Sequence, residues 1–233
     1  MKTPVVLLPA LLCDATLFAH QIEALKNTYD FFVPEPGPDT DVAAAAKRIL
    51  AQVPERFILG GISMGGYIAF EILRQAPERA AGVILMDTNE RSDPPAAKEK
   101  RLKMIEKAKE NGIEAVISPA LLDIILPENR NDANRHMLSQ MASAIGIEKY
   151  INEQTLIMNR PDSSSLLSKI GCPALIMGGE KDFLSPPEAM KEMAAQIPDG
   201  THIIIKNSAH LPPIENPDAV TAAWRLFFQK ILL

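Results

Sequence analysis

The sequence has few of the residues that indicate a cross-linked, metal-binding or membrane-spanning protein. Its 233 residues include only two cysteines, Cys13 and Cys172, which lie far apart and outside any CxxC, HExxH or Cys/His spacing. This argues against a disulfide framework and against a structural zinc site. The apolar runs are also shorter than the roughly 20 residues that a transmembrane helix needs. We therefore expect a chain without a metal, a cofactor or a membrane partner.

An excess of positive charge is also missing. The formal net charge at pH 7 is −5, and the single basic cluster, residues 98–109, is interleaved with glutamates. A surface that binds a nucleic-acid backbone needs a basic patch, so nucleic acid is not an expected partner. Apolar residues, in contrast, make up 47% of the chain, which is typical of globular proteins. We expect a soluble chain with one core and at most one sizeable insertion.

The first residues superficially resemble a targeting signal. Lys2 precedes a short apolar stretch that ends at Cys13, as in a secretory or lipoprotein signal. However, Pro9 interrupts this stretch, and Leu12 occupies the position before the cysteine where a small residue is expected. We therefore interpret the stretch as part of the fold and expect a location in the reducing cytoplasm.

Short apolar runs alternate with helical patterns through the first 90 residues, and the same rhythm returns near the end of the chain. Such alternation is typical of a parallel sheet connected by crossover helices. Helices are predicted over residues 16–26, 42–52 and 64–75. Six runs are predicted as buried strands, namely Val5–Leu8, Phe31–Val33, Phe57–Leu59, Val83–Met86, Ala174–Met177 and Ile203–Ile205. The sequence thus predicts an α/β fold with a mainly parallel sheet of about six strands.

Local signals mark where several helices begin. The segment Ser185–Glu188 has the pattern of a capping box, in which the serine would cap the following helix. Asn216 followed by proline is typical of the first residues of another helix. Asp14 is expected to cap the first helix rather than to act as an acid, and Cys13 is expected to be a small packed residue.

Residues 91–167 contain no convincing strand, and their apolar residues recur at helical spacing between borders rich in turn formers. We predict that this segment is a helical lid, inserted into a core domain that comprises residues 1–90 and 168–233. Apolar side chains of the lid, including Met137 and Met141, are expected to line an apolar pocket for the substrate. The alternative is that they only pack the lid helices together.

The motif GxSxG occurs once with the right surroundings, at Gly61, Ser63 and Gly65. It follows a predicted strand and precedes a predicted helix, which is the context that a nucleophilic serine of this type requires. In such a turn the serine is lifted above the sheet in a strained conformation, and the glycines allow the strand and the helix to approach closely. The spacing fits neither a Walker A loop nor a GxGxxG loop. Ser63 is therefore predicted as the nucleophile.

A serine hydroxyl needs a general base to become nucleophilic at neutral pH. Four histidines are available, namely His20, His136, His202 and His210. His210 is favoured because it lies in a polar, proline-rich loop just after the last predicted strand, where ligands gather in sheets of this kind. The other three belong to a predicted helix, the predicted lid and the start of a strand.

A carboxylate must orient this base. Asp182 stands just past the carboxyl end of the preceding strand, after the Gly178-Gly179 turn, and is our preferred candidate. Asp87 is a rival because it also follows a strand, whereas Glu180 is a weaker candidate.

Taken together, these motifs resemble those of the α/β-hydrolase fold family, specifically its small, lidded esterases and lactonases. The resemblance covers nearly the whole chain and rests on three ordered segments, namely Gly61–Gly66, Gly178–Asp182 and Ser208–His210. The order Ser, Asp, His is that of α/β-hydrolases and differs from the order in chymotrypsin-like and subtilisin-like enzymes. The resemblance implies an α/β-hydrolase fold with a helical lid and acyl transfer through a catalytic triad.

The resemblance also implies that the backbone N–H groups of Leu11 and Met64 form an oxyanion hole. Here the sequence departs from the family, because Pro9-Ala10 replaces the usual His-Gly after the first strand. Leu12 is therefore an alternative to Leu11 as a donor. In addition, Val5–Leu8 already precedes the oxyanion loop, so the first two strands of the family are expected to be missing.

We predict a serine hydrolase that cleaves a carboxylic ester of a small, partly apolar substrate through an acyl-enzyme. The same triad also serves enol-lactone hydrolysis and cofactor-free cleavage or lyase chemistry at C–C bonds, so these are the alternatives. A third possibility is a ligand receptor that keeps the triad without catalysis. The expected partner is a small-molecule ester or lactone.

Overall fold

The computed structural model describes residues 2–35 and 37–231. The strands in this part of the chain are β1 (Thr3–Leu8), β2 (Tyr29–Phe32), β3 (Phe57–Ile62), β4 (Ala80–Met86), β5 (Ala174–Gly179) and β6 (Gly200–Ile205). The α-helices are α1 (Ala19–Leu25), α2 (Val42–Leu50), α3 (Met64–Gln75), α4 (Pro95–Asn111), α5 (Glu114–Ile117), α6 (Asp132–Asn159), α7 (Ser164–Leu167), α8 (Pro187–Ala195), α9 (Pro212–Glu215) and α10 (Pro217–Phe228). Short 3₁₀ segments cover Ala15–Phe18, Pro77–Arg79 and Pro127–Asn129, and a π-helical segment covers Ser118–Leu122.

The six strands form one parallel sheet in the order β2-β1-β3-β4-β5-β6. The register places Leu8 of β1 beside Gly61 of β3, and Met86 of β4 beside Met177 of β5. The strand order reverses between β1 and β3, because β2 lies on one side of β1 and all later strands lie on the other. Ligands bind at such a reversal, beyond the carboxyl ends of the strands. The predicted six-stranded parallel α/β fold is confirmed.

The central strands are buried on both faces, as their unbroken apolar sequences predict. Every residue of β3 and β4 is buried. Because side chains alternate across a strand, Val5 faces the core layer that contains Trp224 of α10, whereas Val6 faces the layer that contains Phe70 of α3. These two layers fix the sheet between helices, so that the loops at its carboxyl edge are held on a rigid base.

Two of the predicted helix starts are confirmed and one is wrong. Asn216 and Asp14 each accept a hydrogen bond from a backbone N–H in the first turn that follows them, at 3.4 Å and 2.8 Å. Ser185 does not cap a helix, because α8 begins at Pro187, and its cap position is also a proline without a side-chain hydrogen bond. Ser185 is instead buried beside Asp182, to which its backbone N–H donates.

Between β4 and β5 the described chain is helical and contains no strand over residues 91–167, the segment that we call the helical insertion. Its longest helix, α6, has a break at Gly146, where φ is 74° and ψ is 174°. Helix α4 packs on α6, and α6 also contacts α2 and α3 of the sheet layer. The predicted core ranges include residues 1, 36, 232 and 233, which lie outside the described residues.

Candidate active site

Ser63 stands between β3 and α3 in a backbone conformation that few residues other than glycine adopt, with φ 52° and ψ −115°. Its N–H donates to the carbonyl of Met86 at 2.9 Å, and its carbonyl accepts from the N–H of Gly66 at 3.0 Å and from the hydroxyl of Thr88 at 2.9 Å. These bonds hold a strained turn in place. The turn places the side chain of Ser63 at the carboxyl edge of the sheet.

Glycine is required at Gly61 and Gly65 because β1, β3 and α3 approach very closely at this turn. A Cβ atom on Gly65 would lie 2.0 Å from the carbonyl oxygen of Leu8, and one on Gly61 would lie 2.5 Å from the carbonyl oxygen of Gly65. Both distances are far below van der Waals contact, and in both cases the obstacle is backbone. The glycines therefore allow the helix to begin directly against the neighbouring strand.

His210 links the serine to a carboxylate. Its Nε2 lies 2.9 Å from the Oγ of Ser63, and its Nδ1 lies 2.8 Å from the Oδ2 of Asp182. Burial opposes ionisation of Asp182, but the charge and hydrogen bond of His210, with backbone N–H groups of Leu184 and Ser185, hold the pKa of Asp182 below its usual value. The structure thus brings together the three side chains that the sequence analysis selected.

The loop that carries His210 is held by a residue that the sequence analysis did not select. One carboxylate oxygen of Glu215 accepts from the N–H groups of Ala209 and Leu211, both at 3.0 Å. The other oxygen accepts from the N–H of Leu126, in the helical insertion, at 2.8 Å. Glu215 therefore fixes the backbone on both sides of His210 and ties this loop to the insertion.

Asp87, the rival acid, lies close to the same histidine. Its Oδ1 accepts from the N–H of Gly179 at 2.8 Å, and the ligand atoms of Asp87, Asp182 and His210 lie within 4.8 Å of one another. Burial, and then the charge of Asp182, raise the pKa of Asp87 well above its usual range. Such a trio offers possible metal ligands, but all three already engage in the hydrogen bonds described above. Asp182 is the carboxylate that contacts His210.

The loop after β1 contains the candidate oxyanion donors. Leu12 has φ 59°, and its N–H donates to the Oε2 of Glu153 at 3.0 Å. This donor is therefore already occupied, which favours Leu11 over Leu12 as a donor toward Ser63. Met64 is the first residue of α3, where backbone N–H groups have no partner within the helix.

A cavity of about 860 Å³ opens above Ser63 and His210. The core contributes these two residues together with Leu11 and Tyr67 to its wall. Much of the remaining wall comes from the helical insertion, through residues within 91–104, 119–124 and 154–160. The candidate nucleophile is thus reached through a space that the core and the insertion share.

Met137 and Met141 do not line this cavity, which corrects the expectation that they line an apolar pocket for the substrate. Met141 is buried in the core, and Met137 packs against the same core cluster. Both lie on α6, before its break at Gly146. The apolar residues that the insertion contributes to the cavity wall include Met104 and Ile124 instead.

Comparison with known proteins identifies relatives of this chain. The family model described as "Alpha/beta hydrolase family" matches residues 10–223. A solved structure of a thermophilic esterase from Thermogutta terrifontis is 31% identical, with a TM-score of 0.88 over 99% of this chain and 91% of that chain. A protein of Mycobacterium tuberculosis named as a non-heme bromoperoxidase, BpoC, is 26% identical over 90% of this chain and 80% of its own length. A pimeloyl-[acyl-carrier protein] methyl ester esterase of Neisseria meningitidis is 23% identical over 81% of this chain and 75% of its own length.

Among residues 2–35 and 37–231, the helices are too short or too polar to cross a membrane.

Proposed function

Since this chain belongs to the alpha/beta hydrolase family, we propose that it hydrolyses a carboxylic ester of a small, partly apolar substrate through an acyl-enzyme. The observation that carries the proposal is the hydrogen-bonded chain from Ser63 through His210 to Asp182, with distances of 2.9 Å and 2.8 Å. The likeness to an esterase at 31% identity supports an ester as the substrate.

In the first half-reaction, the Nε2 of His210 takes the hydroxyl proton of Ser63 as the Oγ attacks the ester carbonyl carbon. The new C–O bond pushes an electron pair onto the carbonyl oxygen. The N–H groups of Leu11 and Met64 stabilise this oxyanion. When the intermediate collapses, the bond to the leaving oxygen breaks, and His210 gives its proton to that oxygen to release an alcohol.

In the second half-reaction, His210 takes a proton from water as the water oxygen attacks the acyl-enzyme. Collapse breaks the bond to Ser63, and the proton returns to its Oγ. One ester and one water thus give one carboxylic acid and one alcohol. Asp182 keeps Nδ1 of the imidazole protonated, so that Nε2 faces the serine as the base.

The helical insertion is proposed to act as a lid that selects the acyl group. Met104, Ala120 and Ile124 of the insertion line the cavity above Ser63, and apolar walls of this kind bind acyl chains through the hydrophobic effect. Met104→Ala should therefore shift the preferred acyl length in a series of neutral esters. Met137→Ala is a matched control, because this methionine packs against the same core cluster but does not line the cavity. An unchanged preference in Met104→Ala would contradict selection by the lid.

The test of the triad is covalent labelling combined with turnover. A small serine-reactive phosphonate should label the protein once, at Ser63, and Ser63→Ala and His210→Ala should each abolish turnover of a neutral ester while the protein stays folded. Ser168→Ala, at an exposed position, is the control. Folded protein that is not labelled would favour the receptor without catalysis. Turnover that survives in Ser63→Ala would contradict the proposed mechanism.

The bond type is a separate question, which a substrate panel answers. Esters, thioesters and enol-lactones of equal chain length should be compared by kcat/KM with the same enzyme preparation. We expect the esters to be preferred. A clear preference for lactones would make the alternative function, enol-lactone hydrolysis, the better assignment.

A further inference from the structure

Two arginines of the helical insertion share a single carboxylate at the wall of the cavity. Asp93 accepts from the Nη1 of Arg160 at 2.5 Å through one oxygen and from the Nε of Arg101 at 2.6 Å through the other. The side chains of Asp93 and Arg160 are 3% and 6% exposed, and that of Arg101 is 25% exposed. The cluster is therefore largely withdrawn from water, although all three residues line the cavity.

This cluster holds more positive than negative charge. Two guanidinium groups and one carboxylate leave one uncompensated positive charge, and a buried charge without a partner is costly. Arg160 also lies over the ring of Tyr67, with its Cζ 4.0 Å from the ring centroid. A cation–π contact offsets only part of the cost of burying an unpaired charge.

The other charges around the cavity do not remove the excess. Arg91 and Lys100 also line it, and the other acidic residue in the wall is Asp123. Asp123 lies 3.7 Å from Arg130, and Arg91 pairs with Glu90, so these carboxylates already face cations. The wall of the cavity is thus cationic, within a chain whose net charge is −5.

The arginines still have donors available for a ligand. Arg101 uses its Nε for Asp93 and one Nη1 bond for Gln154, and Arg160 uses its Nε and Nη1 for protein oxygens. Among the described residues, the Nη2 of each guanidinium has no hydrogen-bond partner. Guanidinium groups with free N–H donors bind carboxylates in a directed way, with charge-assisted hydrogen bonds.

We propose that Arg101 and Arg160 form an anion subsite, and that the substrate is an ester that also carries one ionised carboxylate. This inference rests on the proposed esterase function and names the substrate class of the same site. The carboxylate could stand on the acyl side of the ester, as in the monoester of a dicarboxylic acid, or on the alcohol side, as in an acylated hydroxy acid. In either position, the carboxylate of the substrate would neutralise the positive charge of the two arginines that Asp93 leaves uncompensated.

The test compares esters that differ only in the terminal carboxylate. Monomethyl adipate and methyl hexanoate probe the acyl side, and 6-acetoxyhexanoate and hexyl acetate probe the alcohol side. Within at least one pair, kcat/KM of the anionic ester should exceed that of the neutral ester by about tenfold or more, because a charge-assisted hydrogen bond contributes on this scale. The pair that shows the preference identifies the side.

Variants assign this preference to the cluster. Arg101→Gln should lower the ratio of anionic to neutral kcat/KM by roughly 10- to 100-fold. Lys100→Gln, at an exposed position on the same helix, should lower it by only about threefold, through the weaker charge effect of an exposed group. Lys103→Gln is the matched control, because it pairs with Glu99 at the surface and should keep the wild-type ratio. A ratio that Arg101→Gln leaves unchanged would overturn the subsite.

Binding without catalysis separates this inference from the proposed function. Ser63→Ala should bind monomethyl adipate in a calorimeter, and the affinity should fall as salt is raised. If the enzyme is labelled at Ser63 and turns over the neutral ester as well as the anionic one in both pairs, the esterase stands and the subsite is wrong. If Ser63→Ala binds the anion through Arg101 but the wild type hydrolyses no ester, the subsite stands and the esterase is wrong.

Discussion

The side chain of Glu153 accepts a hydrogen bond from the backbone N–H of Leu12 at 3.0 Å, which ties α6 of the insertion to the loop after β1. The two residues are 141 positions apart in the sequence. The other carboxyl oxygen of Glu153, Oε1, is buried without a partner among the described residues. Since Leu12 has a positive φ of 59°, this bond helps to hold a strained loop that also contains the candidate oxyanion donor Leu11.

The first prediction concerns how stability depends on pH. Burial raises the pKa of Glu153 to about 8, although the bond from Leu12 and the charge of Lys149 lower it. In the unfolded chain the pKa is about 4.3. Between these values the folded protein holds a proton that the unfolded chain has lost, so the free energy of unfolding falls as pH rises. Glu153→Gln removes this contribution, on the order of 1.4 kcal/mol per pH unit.

Urea unfolding at about pH 5 and about pH 8 measures this effect. At each pH, the free energy of unfolding in water is obtained by linear extrapolation to zero urea. We expect Glu153→Gln to lose less stability than the wild type between the two pH values. An equal change in the free energy of unfolding of the two proteins between these pH values would show that Glu153 keeps an ordinary pKa. As a companion variant, Glu153→Leu removes the acceptor for Leu12, so its kcat should fall well below that of Glu153→Gln.

The second prediction distinguishes the two buried aspartates. Asp182→Asn should lower kcat by about 10⁴-fold, because the amide favours the wrong tautomer of His210. Asp87→Asn should lower kcat by less than about tenfold, because Asp87 accepts from the N–H of Gly179 whereas His210 bonds Asp182. Burial also raises the pKa of Asp87 and so disfavours the charged form that the amide would replace. Steady-state kinetics at neutral pH with a neutral ester measure both. The reverse order of effects would assign the role of the acid to Asp87.

The third prediction concerns Glu215, which accepts two hydrogen bonds from the His210 loop and two from Leu126 and Asn129 of the helical insertion. Glu215→Gln replaces one acceptor oxygen by an NH₂ group that faces N–H donors. We expect a loss of about 1.5–3 kcal/mol of unfolding free energy, the scale of bonds to a charged group, and at least about a tenfold fall in kcat. Glu192→Gln, at an exposed position of α8, is the control. Equal behaviour of the two variants would exclude a positioning role.

The candidate triad was predictable because each of its members follows a predicted strand. In a parallel sheet the carboxyl ends of all strands meet at one edge, so Ser63, Asp182 and His210 were expected to be close neighbours without any knowledge of the loops. The local GxSxG pattern adds backbone detail, since glycines on both sides of Ser63 indicate a close approach.

Residues that support the site gave no such signal. Glu215 and Glu153 bind backbone N–H groups, at Leu126 and Leu12, that lie 89 and 141 positions away. A backbone donor leaves no mark in the sequence, so neither contact could be inferred. The error over Met137 has a related cause, because an apolar residue on a helix indicates burial without indicating whether it faces the core or a cavity.

The last prediction tests the close approach at the elbow. A Cβ on Gly65 would lie 2.0 Å from the carbonyl oxygen of Leu8, which is backbone of the central strand β1 and cannot move without disturbing the sheet. Gly65→Ala should therefore lower the unfolding free energy by about 1–3 kcal/mol or more, as overpacking does, and should slow phosphonate labelling of Ser63.

Gly171→Ala is the matched control, because a Cβ there meets no atom within 4 Å. At that position alanine only restricts the unfolded chain, so stability should stay the same or rise by up to about 1 kcal/mol. If both variants unfold and label alike, the strand and helix cannot be as close as the motif requires.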